Sequence, residues 1–144
     1  MKIYTIGFTK KSAEEFFSLL QNSGVKTLVD VRLNNSSQLA GFTKGNDLKY
    51  FLKTIAGIDY AHRDDLAPTK EILNAYKNKA IDWNQYEFMF KDLLQTRKPI
   101  IEDIVFNNAC LLCSEERPDQ CHRRLVGDYI RENLLPTNIE IIHL

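Results

Sequence analysis

Residues 2–32 read KIYTIGFTKKSAEEFFSLLQNSGVKTLVDVR, and this stretch predicts a strand–helix–strand unit. The β-rich run 2–6 ends before Gly7, and residues 26–31 form a second run rich in valine and leucine. The connection between two parallel strands of one sheet is almost always right-handed. We therefore expect Gly7 and Arg32 to lie at the same end of a parallel sheet.

The middle of this unit carries the signals of a helix start and a helix end. Ser12 and Glu15 form a capping-box pattern ahead of apolar residues at helical spacing, and Gly24 is typical of a helix C-terminus. Further strands are predicted over residues 58–61, 109–112 and 139–144, and helices are predicted to start at Asp47, Pro68, Asp82 and Cys121. This alternation predicts one α/β domain over residues 1–144. We expect a three-layer Rossmann-like sandwich, with a mostly parallel sheet of about five strands and helices on both faces.

The composition is that of a globular protein with a sizeable core. Of its 144 residues, 44% are hydrophobic and 26% are charged, and 19 basic side chains balance 19 acidic ones. This balance argues against a general nucleic-acid binder. The sequence has no apolar run close to the roughly 20 residues that a membrane-spanning helix needs, and no export signal at its start. We therefore expect a cytoplasmic protein that does not span a membrane.

The densest chemistry lies in residues 110–124, which read CLLCSEERPDQCHRR and contain all 3 cysteines of the chain. Cys113 is expected at the end of a buried strand. Cys121 and His122 fall in the first turn of the next helix, where they are predicted to face the sheet. An odd number of closely spaced cysteines is a poor disulfide framework. The start of a helix attracts anions and lowers thiol pKa values, so this stretch predicts an anion pocket that contains sulfur.

Ligands of parallel α/β sheets bind outside the carboxyl ends of the strands. The residues expected at that edge are Gly7, Arg32, Ser36, Ser37, His62, Arg63, Cys113, Glu115, Cys121, His122 and Arg123. They come from several separated segments of the chain, so the prediction of a single site depends on more than one motif.

Three segments resemble the domain-of-unknown-function family 488 (DUF488). They are TIGFTKKSAEEFFSLL at residues 5–20, LVDVR at residues 28–32 and LLCSEERPDQCHRRLV at residues 111–126. The third resembles the Cys-x-Glu and Cys-His-Arg signature of that family. The resemblance implies a Rossmann-like sandwich in which these segments meet at one site, with no established activity. The positions it implies for the site are Asp30, Arg32, Ser37, Phe42, Cys113, Glu115, Cys121, His122 and Arg123.

The two signature arginines have two interpretations. Arg32 and Arg123 could clamp a phosphate or carboxylate with bidentate hydrogen bonds. They could equally form internal salt bridges, for example with Asp30 or Glu115. Both can hold together, because a buried carboxylate keeps an arginine fixed for an anionic ligand.

The leading functional hypothesis is an enzyme of the hydrolase or transferase class that binds a small anionic, nucleotide-like ligand and needs no cofactor. Cys113 or Cys121 would be the nucleophile, and Glu115 and His122 would handle protons. The alternative for each cysteine is a small buried apolar residue. A non-enzymatic nucleic-acid or nucleotide-binding module, using the same arginines with nearby lysines, is the alternative function.

A zinc-stabilised domain is a further alternative. A tetrahedral zinc ion needs four ligands, and this stretch contains four candidates: Cys110, Cys113, Cys121 and His122. Two geometric arguments oppose it. Residues 110 and 113 point to opposite faces of a strand, and adjacent residues at a helix start diverge by about 100°. We therefore predict no metal site.

Overall fold

The computed structural model describes residues 1–36, 40–115, 117–133 and 138–144. The strands are β1 (Lys2–Gly7), β2 (Thr27–Asp30), β3 (Asp59–His62), β4 (Ala109–Cys113) and β5 (Glu140–His143). The helices are α1 (Ala13–Ser23), α2 (Gly45–Phe51), α3 (Lys70–Lys77), α4 (Trp83–Arg97), α5 (Asp103–Phe106) and α6 (His122–Asn133). None of the helices among these residues is long and apolar enough to cross a bilayer.

All five strands are parallel and form one sheet in the order β3-β2-β4-β1-β5. Side chains of β4 alternate between two cores: Leu112 packs with α1 and α2 on one face, and Leu111 packs with α4 and α6 on the other. The first core contains Phe16 and Leu48, and the second contains Phe90. The prediction of a Rossmann-like parallel sheet with helices on both faces is confirmed.

Helix α1 has the ends that its sequence predicts. The backbone N–H of Glu15 donates to Ser12 Oγ at 3.1 Å, and Gly24 ends the helix in the left-handed conformation with φ of 74°.

Two other helix starts were predicted wrongly. The cap of α3 is Thr69 rather than Pro68, because Thr69 Oγ1 accepts from the N–H of Ile72.

The start of α2 was also placed too late. The helix begins at Gly45 rather than after Asp47. The Gly45 N–H donates to the carbonyl oxygen of Asn35 at 2.8 Å, and a Cβ at Gly45 would lie 2.6 Å from Asn35 Nδ2. This contact with Asn35, earlier in the loop that leads into α2, fixes the chain two residues before the predicted cap.

Helix α4 starts with a complete capping box, which offers a test of local stability. Asp82 accepts a hydrogen bond from the N–H of Gln85, and the Gln85 side chain accepts one from the N–H of Asp82. We expect Asp82→Ala to lower the free energy of unfolding by about 1 kcal/mol, measured by urea denaturation. The control is Asp92→Ala in the exposed middle of the same helix, which should leave stability within about 0.5 kcal/mol of wild type. Equal destabilisation by both variants would contradict the role of the cap.

The carboxyl ends of four strands meet at one edge of the sheet. Gly7 pairs with Cys113, and Asp30 pairs with Leu112 on one side and with His62 on the other. The prediction that β1 and β2 end on the same side is therefore confirmed. The candidate site is built on this edge.

Candidate active site

The side chains of Cys113 and His122 meet where β4 ends and α6 begins. Cys113 Sγ lies 3.5 Å from His122 Nδ1, and His122 Nε2 lies 2.6 Å from the carbonyl oxygen of Val31. A carbonyl oxygen only accepts, so Nε2 carries the ring proton and Nδ1 of the neutral ring presents its lone pair to the thiol. Both side chains are buried. The fold therefore orients the pair without help from a ligand.

Cys121 makes this pair a cluster of three. The ligand atoms of Cys113, Cys121 and His122 all lie within 4.8 Å of one another. The pKa of the Cys113 thiol is lowered, mainly by the hydrogen bond from Cys121. Burial acts in the opposite direction and raises this pKa. The backbone N–H groups of Ser114 and Glu115 and the charge of Arg123 lower it further. Burial, together with the hydrogen bond to Cys113, raises the pKa of Cys121 well above its ordinary value. Of the two thiols, Cys113 is therefore the one whose ionisation the surroundings favour.

Cys110 does not belong to this cluster. It packs in the core on the α1 side of the sheet, and burial raises the pKa of its thiol. Cys110 is therefore a core residue and not a member of the site. The prediction that Cys121 and His122 diverge too far to share an ion was wrong. Helix α6 begins at His122, so Cys121 precedes the helix and the 100° helical step does not apply to it.

Arg32 forms a buried ion pair with Asp30. Its Nε and Nη2 donate to the two carboxylate oxygens of Asp30 at 2.8 and 2.7 Å, and Nη2 also donates to the carbonyl oxygen of Thr43 at 2.6 Å. Asp30 also accepts from the Tyr60 hydroxyl at 2.7 Å. Burial is the main cause that raises the pKa of Tyr60, to about 12, so the hydroxyl keeps its proton and donates. The structure therefore contains the internal salt bridge that was the alternative to a ligand clamp.

The Nη1 group of the Arg32 guanidinium takes no part in this ion pair. Arg32 is 5% exposed, and its buried Nη1 has no hydrogen-bond partner in the part of the chain that the structure describes. The guanidinium carbon lies 5.4 Å from the centre of the Phe8 ring. Burial lowers the pKa of Arg32, but the hydrogen bond and the charge of Asp30 raise it overall, and the interaction with Cys113 acts in the same direction. Arg32 is thus a fixed cation within electrostatic reach of Cys113.

Arg123 is fully buried beside the second sulfur. Its Nη1 donates to the carbonyl oxygen of Glu115 and contacts Cys121 Sγ at 3.6 Å. The side chain of Glu115 is exposed. Glu115 therefore contacts Arg123 through its backbone carbonyl. The sequence analysis instead predicted that its side-chain carboxylate would transfer protons.

The segments that follow β1 and β4 are hydrogen-bonded to each other next to Arg123. Thr9 donates from both its N–H and its Oγ1 to the carbonyl oxygen of Ser114, at 3.1 and 2.6 Å. A Cβ at Gly7 would lie 1.6 Å from the carbonyl oxygen of Glu115. Only glycine allows the two backbone segments to approach this closely.

Two other predicted positions, Ser37 and Phe42, follow β2 in the sequence. Phe42 is half-buried and packs against Phe16 and Phe17, with ring centres 5.4 and 6.0 Å apart. This packing holds the loop whose Thr43 carbonyl binds Arg32. Ser37, the other position, lies outside the described residues.

Sequence reasoning missed two partners of the buried ion pair, the Tyr60 hydroxyl and the Thr43 carbonyl. In the structure Tyr60 is the register partner of Leu28, and alternation along β2 places Leu28 and Asp30 on one face, so Tyr60 could be identified only once the register was known. The carbonyl of Thr43 carries no signal in the sequence, because any residue supplies a backbone carbonyl and its direction depends on the loop.

The comparisons with known proteins agree with the resemblance of the motifs. A family model described as a domain of unknown function, DUF488, matches residues 12–130 of the 144 residues. Comparison with curated proteins and with solved structures finds no match. The matched region includes Asp30, Arg32 and the whole Cys113–His122 cluster. Because it also covers more than half of the chain, the protein belongs to the DUF488 family.

Proposed function

We propose that this protein is a cysteine-dependent enzyme of the hydrolase or transferase class. Its ligand is a small anion, with a nucleotide-like molecule as the leading candidate. Cys113 is the nucleophile, and His122 accepts and returns its proton. The observation that carries the proposal is the 3.5 Å contact between Cys113 Sγ and His122 Nδ1, in a ring whose other nitrogen is fixed on Val31.

The reaction begins when the Cys113 thiol proton moves to His122 Nδ1. The thiolate sulfur then forms a bond to an electrophilic carbon or phosphorus atom of the substrate, and the leaving group departs with the bonding electron pair and takes the proton from Nδ1. Water in a hydrolase, or a second acceptor in a transferase, displaces the sulfur and regenerates the thiol. The lowered pKa of Cys113 supports this role, and the raised pKa of Cys121 argues against Cys121 as the nucleophile.

The anionic ligand is supported by the Nη1 group of Arg32, which takes no part in the ion pair with Asp30. A buried donor without an acceptor costs about 1–3 kcal/mol, and more when the group is charged. A phosphate or carboxylate oxygen would supply that acceptor, and guanidinium groups bind both kinds of anion well. Asp30 holds the other two guanidinium nitrogens, Nε and Nη2, so the direction of Nη1 is fixed.

Alkylation rates test the nucleophile. In the full chain, treated with a chelator and reduced, we expect iodoacetamide at pH 7 to label Cys113 at least about tenfold faster than Cys110. His122→Asn removes the proton acceptor and should slow the labelling of Cys113 by about tenfold or more. Mass spectrometry of the three cysteine peptides over time gives each rate, and circular dichroism checks that the variant is folded. Equal rates for Cys113 and Cys110 in the folded wild type would show that Cys113 is not activated.

The same assay tests the ligand. Inorganic phosphate or adenosine monophosphate should slow the labelling of Cys113, because Arg32, which would bind the anion, interacts electrostatically with Cys113. The matched control is Cys110→Ser, which removes a core thiol on the other face of the sheet and should leave both the labelling and the protection of Cys113 unchanged. If neither anion changes the rate of labelling at saturating concentration, the proposal of an anionic ligand is wrong.

A further inference from the structure

We propose that Cys113, Cys121 and His122 also form a site for one Zn²⁺ ion with an open fourth coordination position. This inference stands on the geometry of the ligand atoms and does not depend on the thiol chemistry proposed above. The two sulfur atoms and a ring nitrogen lie within 4.8 Å of one another. Two thiolates and one imidazole are ligands that the borderline-soft Zn²⁺ ion prefers.

The distances agree with a tetrahedral ion. Zn–S bonds of about 2.3 Å and Zn–N bonds of about 2.0–2.1 Å place a sulfur and a nitrogen on the same tetrahedral ion about 3.5 Å apart, and two sulfurs about 3.8 Å apart. Cys113 Sγ and His122 Nδ1 are 3.5 Å apart. Since no pair in the cluster is separated by more than 4.8 Å, the two sulfurs need to approach each other by at most about 1 Å.

The surroundings of the ligands also fit a metal site. Metal-binding histidines almost always donate their second ring N–H to a carboxylate, a backbone carbonyl or water, and His122 has such a contact with Val31 at 2.6 Å. This contact leaves Nδ1 free to coordinate. Arg123 Nη1 contacts Cys121 Sγ at 3.6 Å, which is favourable for a sulfur that becomes a thiolate on binding the ion.

The number of ligands decides which kind of metal site this is. Cys110 lies in the core on the opposite face of β4, so it cannot complete the cluster. Within the described residues the cluster offers three ligands. Zinc sites with three protein ligands keep the fourth position for water or substrate, whereas structural sites have four. The open position therefore favours a site that binds a reactant over one that only stabilises the fold.

Cobalt substitution tests the site directly. We expect one Co²⁺ per chain to bind to the reduced, chelator-treated full chain and to give the sulfur-to-cobalt charge-transfer absorption and the intense visible bands of a tetrahedral ion. Binding of Co²⁺ should release the thiol protons to the buffer, and one equivalent of Zn²⁺ should then remove both absorptions by displacing the Co²⁺. Cys121→Ser and His122→Gln should each weaken the affinity by at least about tenfold. Cys110→Ser is the matched control and should bind as wild type does.

Some results would overturn the site. If Co²⁺ keeps its octahedral aqueous spectrum in the presence of folded wild-type protein, the three side chains do not bind the ion. If Cys110→Ser weakens binding as much as Cys121→Ser, the ligands have been assigned wrongly. Alkylation of the metal-free protein tests the nucleophile separately, so either proposal can fail alone. If both are correct, one equivalent of Zn²⁺ blocks the alkylation of Cys113, because the same sulfur cannot coordinate and attack.

Discussion

Replacing Gly7 with alanine is expected to lower the free energy of unfolding by about 3 kcal/mol or more, at the upper end of the range for overpacking. A Cβ at this position would lie 1.6 Å from the carbonyl oxygen of Glu115 and 2.8 Å from Arg123 Nη1. The carbonyl belongs to the backbone and cannot rotate away as a side chain can. The exit of β1 or the segment after β4 must therefore move, and the carbonyl that binds Arg123 moves with it. The midpoint of urea denaturation measures the effect.

The matched control for this variant is Gly41→Ala. Gly41 is exposed, and a Cβ there would meet nothing within 4 Å. We expect this control to change stability by no more than about 0.5 kcal/mol. A Gly7→Ala protein that unfolds at the same urea concentration as the Gly41→Ala protein would contradict the close approach of the two backbone segments.

Asp30→Ala is expected to destabilise the protein by about 3–5 kcal/mol, because it leaves the Arg32 guanidinium buried without its counter-ion. Asp30 is completely buried and accepts two hydrogen bonds from the Arg32 side chain and one from Tyr60. Thermal and urea denaturation measure the loss. The double replacement Asp30→Leu with Arg32→Met removes both charges and should be more stable than Asp30→Ala, since the cost comes mainly from the uncompensated charge.

A surface ion pair provides the control for this prediction. Lys53 and Asp59 are 3.0 Å apart, but their side chains are 68% and 70% exposed. Asp59→Ala should cost no more than about 1 kcal/mol. If Asp30→Ala and Asp59→Ala have similar effects, Arg32 gains its stabilisation elsewhere and the ion pair does not hold the site together.

The architecture could be predicted from sequence because its signals are local. The cap at Ser12, the glycine at Gly24 and the apolar runs of β1, β2 and β4 each need only neighbouring residues, and the rules for parallel sheets then place the strand ends at one edge. The starts of α2 and α3 were placed wrongly for two reasons. The side chain of Thr69, and not Pro68, caps α3, and a hydrogen bond between Gly45 and Asn35 in the preceding loop starts α2 before Asp47.

The site was predictable as a set of residues but not as an arrangement. The motif located Cys113, Cys121 and His122, yet their convergence depends on where α6 begins, and one residue of difference reverses the conclusion about a shared ion. Whether Arg32 serves an internal carboxylate or a ligand depends on the side-chain direction of Asp30 and on the carbonyl of Thr43. Tertiary structure sets both of these directions, and neither depends on which residue types are neighbours in the chain.

The position of β4 has a consequence for synthesis on the ribosome. This strand is the fourth along the chain but lies in the middle of the sheet, hydrogen-bonded to β1 on one side and to β2 on the other. A nascent chain that ends before residue 109 therefore leaves one edge of β1 and one edge of β2 without the strand that separates them, and such edges are open to pairing with other chains. Cys113 is the last residue of the strand that fills this gap, so the position of its thiol depends on the pairing of β4 with both neighbours.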